Sequence, residues 1–80
     1  MGKQGRARIV FYDVAREQLE AMNQAELARL DTALDVIAAD PQTGVLSKNG
    51  AIRTYQQDRV RVVYVPTALG TLVLVAYVEA

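Results

Sequence analysis

The side chains able to do chemistry in this sequence are few, and two absences define the set. It holds no Cys and no His. That excludes thiolate metal sites, Cys–His enzymes, Ser-His-Asp hydrolases and zinc hydrolases built on imidazole. No metal and no cofactor is expected. What remains is tyrosine, carboxylate and cation. Arg53, Tyr55, Arg59 and Arg61 fall on odd positions of the run RTYQQDRVRVVY, Lys48 stands beside Asn49-Gly50, and Tyr77 and Glu79 close the last apolar run.

The charges are sorted along the chain. Nine basic and nine acidic side chains cancel. Yet Asp13 to Asp40 holds seven acids against Arg16 and Arg29, a balance of −5, and the remainder carries +5. Such a split fits a protein with an acidic convex side and a basic binding side, and equally a neutral protein whose charges are merely solvated. With 51% hydrophobic and 22% charged residues in 80 positions, the chain is too apolar for disorder and too short for two cores. A domain this small buries only about 60–65% of its unfolded surface, so a partner subunit would help it. The start, MGKQGRARIVFYD, lacks the apolar stretch of a signal peptide. No apolar run approaches the ~20 residues of a membrane span. No membrane association is expected, and the expected compartment is the cytoplasm.

The elements that position these residues can be read in order. Arg8–Tyr12 (RIVFY) is β-branched and aromatic, a strand buried on both faces at Ile9–Phe11. Asp13 is a candidate N-cap for a short helix through Met22, with Ala15, Leu19 and Met22 on one face. Asn23 and Glu26 have the spacing of a capping box. The helix that follows runs to Ala39, buries Leu27, Leu30, Leu34 and Ile37, exposes the like-charge pair Asp31/Asp35, and stops at Asp40-Pro41. A loop to Gly50 tucks Val45 and Leu46 against the core, with Asn49-Gly50 as its turn signal. Three strands follow, Ala51–Gln56, Arg59–Val65 and Thr71–Glu79. The last is apolar on both faces and belongs in the middle of the sheet.

Register decides where the arginines go. A three-residue hairpin connection pairs Tyr55 with Arg59, Arg53 with Arg61, and Ile52 with Val62. A two-residue Gln57-Asp58 turn would mix charge into the apolar face. The buried pattern therefore favours the three-residue loop, which gathers Arg53, Tyr55, Arg59 and Arg61 on the face away from the helices. Tyr64 reads as core. Tyr55 and Tyr77 fit either packing on the open sheet face or contact with a ligand, and Lys48 fits a solvated loop.

The order β-α-α-β-β-β, with DVAREQL (Asp13–Leu19), ALDVIAADP (Ala33–Pro41) and RVRVVY (Arg59–Tyr64), resembles the RelE/ParE superfamily of toxins from type II toxin–antitoxin modules. The resemblance runs from Ile9 to about Tyr77. It implies an α+β fold: one RelE-like domain over residues 1–80, an antiparallel-rich four-stranded sheet, and a two-helix hairpin packed on one face. It also implies a bacterial toxin restrained by a cognate antitoxin, as a homodimer or a toxin–antitoxin hetero-oligomer. The toxin would be a ribosome-dependent mRNA endonuclease, a non-enzymatic inhibitor of DNA gyrase, or a protein of this fold that only binds.

In the nuclease branch, Arg61 falls where the strand arginine of the active site sits, and Arg53 on an arginine of the preceding strand. Lys48 lies where relatives supply further basic residues, and Tyr55 and Arg59 would hold substrate beside it. Metal-free RNA cleavage needs the 2′-hydroxyl deprotonated, the leaving oxygen protonated and cations beside the phosphate. A guanidinium fork suits the last role. Relatives commonly place a His, Tyr, Arg or Lys just after the final strand. This chain has only Tyr77 and Glu79 there for proton transfer, and a tyrosine needs neighbouring charge to depart from a pKa near 10.

Overall fold

Asn23 and Glu26 close the capping box reciprocally: each backbone amide donates to the other's side chain at 2.8 Å. The two helices are thereby separated without a flexible linker. In the computed structural model, which describes residues 6–48, 50–67 and 69–80, the elements are β1 (Arg8–Phe11), α1 (Asp13–Glu20), α2 (Gln24–Ala39), β2 (Val45–Leu46), β3 (Arg53–Gln57), β4 (Val60–Pro66) and β5 (Leu72–Glu79). Tyr12, not Asp13, is the N-cap of α1, and no side chain caps that end. Asp13 instead places its carboxylate in the first turn, where the helix dipole favours it.

The sheet is mixed and five-stranded, in the order β1-β5-β4-β3-β2, with β1 parallel to β5 and every other pair antiparallel. The expected four strands become five because Val45 and Leu46 pair with Thr54 and Arg53 instead of tucking inward. They form an exposed edge, with Val45 77% accessible. β5 lies inside the sheet, as its two-sided apolarity requires. β1 was expected to be buried on both faces. It is an edge strand, and Ile9, Val10 and Phe11 are only half-buried.

Both helices cover one face. Ala15, Leu30, Ala33 and Ile37 meet Val60, Val62, Tyr64, Val73, Val75 and Val78 in a single core. Of the predicted α2 stripe, Leu30 and Ile37 are buried, Leu34 packs at the margin, and Leu27 remains 39% exposed. Asp35 is relieved of its like-charge neighbour by Arg6, 2.8 Å away. That pair is exposed and adds little stability. The turn pair Asn49-Gly50 falls partly outside the described residues, at Asn49. No described helix is long and apolar enough to cross a membrane.

Candidate functional site

The β3–β4 hairpin turns on two residues, Asp58 and Arg59, so that Gln57 pairs with Val60, Gln56 with Arg61, Tyr55 with Val62 and Arg53 with Tyr64. The expected three-residue register is therefore overturned. The turn is possible because Asp58 adopts a left-handed φ of 55°, which a short polar side chain tolerates. The Gln56 amide steadies it by donating to the carbonyls of Asp58 and Val60 at 3.3 and 3.4 Å.

The parity change breaks up the expected cluster. Directly paired residues share a face, so Arg53 and Tyr55 join Tyr64 and Val62 on the helix side. Tyr55 packs against the core. Arg53 is tolerated there because its Nη1 donates to the carbonyls of Gln42 and Gly44 at 3.1 and 2.8 Å, pinning the α2–β2 loop. Arg59 sits exposed in the turn, and Lys48 is exposed beyond β2, toward the Arg53 end of β3. Only Arg61 keeps its place on the uncovered face, where it is exposed.

A β-bulge then supplies its neighbours. β4 and β5 pair Arg61 with Glu79, Val62 with Val78 and Val63 with Tyr77, and after a shift Tyr64 with Val75. Ala76 is the extra residue. Without it Tyr77 would face Val62 in the core and Val78 would face water. With it, Val78 is buried while Tyr77 and Glu79 join Arg61 on the open face. One inserted residue thus assembles the candidate site.

In that corner the Tyr77 hydroxyl donates to Glu79 Oε2 at 2.9 Å. This bond, more than burial or the charge of Glu79, raises the Tyr77 pKa above its ordinary value, and Arg61 opposes the rise. Tyr77 thus holds its proton more firmly than a free phenol does, with its hydroxyl directed at Glu79. Gln56 stands on the other side of Arg61, an open-face residue the sequence reading missed and correct hairpin parity would have revealed. The uncovered corner therefore combines a cation, a carboxylate and a phenol, with Arg59 at its rim. No group of three or more carboxylates suited to a metal ion occurs among the described residues.

A cavity of about 610 Å³ lies elsewhere. It opens at the far end of the sheet between Asp40, Leu46, Arg53, Pro66 and Leu69, and contains none of Arg61, Tyr77 or Glu79. Shape and chemistry do not coincide, and an open sheet face suits a polymer better than a small molecule.

No family model and no curated protein matches the sequence. Among solved structures, the chain superposes on a chain of the toxin–antitoxin complex RelBE2 from Mycobacterium tuberculosis with a TM-score of 0.73 and 15% identity, covering 95% of this chain and 98% of that one. At that identity the likeness speaks for architecture alone: the two chains share one α+β fold.

Proposed function

We propose that the chain is the toxin of a type II toxin–antitoxin pair and a metal-independent, ribosome-dependent mRNA endonuclease of the bacterial cytoplasm. The observation that carries this reading is the corner where Arg61 faces Glu79 and Tyr77 donates to Glu79. Glu79 accepts the proton of the RNA 2′-hydroxyl as its oxygen attacks phosphorus. Tyr77 gives its proton to the departing 5′-oxygen as that P–O bond breaks, leaving a 2′,3′-cyclic phosphate. Their mutual hydrogen bond then returns the proton from Glu79 to Tyr77, so both groups end as they began. Arg61 offsets the charge that grows on the phosphate, and Arg59 attracts the RNA backbone. An acidic segment of the antitoxin laid over Arg59 and Arg61 would silence the site.

One observation favours a second reading. With Arg53 and Tyr55 turned to the helix side, Arg61 is the one strand arginine left beside Tyr77 and Glu79. A protein that only binds, whether to gyrase or another target, needs no more. Induced expression without a partner separates the readings. Growth arrest with cleaved mRNA and an early fall in translation supports the nuclease. Arrest with intact mRNA and an early DNA-damage response supports gyrase. Normal growth with soluble protein removes both toxin readings.

A further inference from the structure

On the layer opposite this corner, α1, α2 and β1 leave an apolar groove of about 520 Å³. Phe11, Leu19, Leu27, Leu30 and Leu34 form it, and Asp31 stands at its rim. Leu27 keeps 39% of its surface exposed there, although it lies on the apolar stripe of its helix.

The groove borders an unfinished sheet edge. β1 has one neighbour, and the amides of Arg8 and Tyr12 donate to Thr71 and Val75 of the β5 side. Residues alternate in direction along a strand, so the amides and carbonyls of Ile9 and Phe11 point to the outer edge. Ala7, the preceding outward residue, is already satisfied by the Ala38 carbonyl at 2.9 Å. Phe11 therefore belongs to both features, its side chain lining the groove and its backbone forming the edge.

Charge says what fits. The stretch from Asp13 to Asp40 that builds this layer has a balance of −5. Glu26 is engaged in the capping box and Asp35 with Arg6, whereas Asp13, Glu17, Glu20 and Asp31 have no ion pair among the described residues. A second copy docking groove to groove would set −5 against −5. The chain's own helices supply only Arg16 and Arg29 as cations. An anionic partner is repelled for the same reason.

We propose that this groove, bordered by the Ile9–Phe11 edge, is a docking surface for a basic amphipathic helix of another protein. Its apolar side chains, spaced i, i+3/i+4, i+7, fill the groove, and its Lys or Arg residues meet Asp31 at the rim of this net-acidic layer. The surface does not depend on RNA cleavage and lies on the face away from Arg61. Its test can therefore fail or succeed independently of the nuclease reading.

The probe is a fluorophore-labelled helical peptide of about 14 residues, with Leu on one face and Lys or Arg on the other, titrated with the full chain. A matched peptide carries Glu in place of the cations. The basic peptide should bind saturably, more weakly as salt rises, and the acidic one at least ~10-fold more weakly. Leu27→Asp, at a half-exposed position, should weaken binding by ~10-fold or more, and Asp31→Lys by about 3- to 10-fold, with circular dichroism unchanged in both. Absence of saturable binding, equal binding of the acidic peptide, or indifference to both substitutions overturns the proposal. So does a dimer in sedimentation that Leu27→Asp dissolves, which would make the occupant a second copy.

Discussion

The Tyr64 hydroxyl accepts the Gly44 amide at 2.9 Å and donates to the Pro41 carbonyl at 2.8 Å, so one buried phenol holds both ends of the loop that follows α2. Residue 44 must be small. A Cβ there would stand 2.8 Å from the phenol oxygen and 3.0 Å from the Thr54 carbonyl carbon and oxygen. Neither the fully buried ring nor the strand backbone can yield cheaply. Gly44→Ala should therefore cost about 1–3 kcal/mol. Thermal denaturation would register ~4–8 °C per kcal/mol in a domain of this size. An unchanged Tm would show that the loop moves aside freely.

Tyr64→Phe removes the acceptor of a buried amide and the donor to a carbonyl, and should cost about 1–3 kcal/mol. It should also change the alkaline limb of stability. Burial pushes the folded-state pKa of Tyr64 above its ordinary 10.0, against the lowering by the Gly44 amide and Arg53. A raised folded pKa contributes stability that is full below about pH 10 and is lost as pH climbs through the raised value. Denaturant midpoints measured from pH 8 upward should fall more steeply in the wild type than in Tyr64→Phe. Parallel curves would contradict this.

Arg53 and Arg61 should separate cleanly between stability and activity. Arg53→Ala frees the carbonyls of Gln42 and Gly44, costing about 1–2 kcal/mol while cleavage per folded molecule is retained. Arg61→Ala should leave the Tm unchanged, because the side chain is exposed, and lower ribosome-programmed cleavage ~30- to 1000-fold. Arg59→Ala should do less. Cleavage lost in Arg53→Ala at unchanged stability would reverse the assignment.

Tyr77 and Glu79 should act as one unit if a proton circulates between them. Tyr77→Phe and Glu79→Gln would each lower the cleavage rate by about 10²-fold, and the double variant by little more than either. Single-turnover rates of the three variants decide this. Losses that multiply would mean that the two residues contribute separately.

What the sequence made legible was mostly local. Helix limits followed from Asn23, Glu26 and Asp40-Pro41, and the interior place of β5 from its two apolar faces. Parity was not legible. The hairpin register depended on whether Asp58 would take a left-handed φ, and the placement of Tyr77 on a bulge at Ala76. Each is a one-residue choice that flips every side chain beyond it. The apolar-face argument also failed at Arg53, since it priced a guanidinium on the inner face as unpaired. The carbonyls of Gln42 and Gly44 satisfy it, and they come from a loop with no regular pattern to read.

The interior position of β5 has a consequence for how the domain folds. β1 and β5 pair in parallel across about sixty residues of sequence, and α1 packs chiefly on β5. Until β5 is in place, β1 has no strand neighbour and α1 lacks most of the floor beneath it. The same eight residues carry Tyr77 and Glu79. Core and candidate chemistry are therefore completed in one event, when β5 takes its place between β1 and β4.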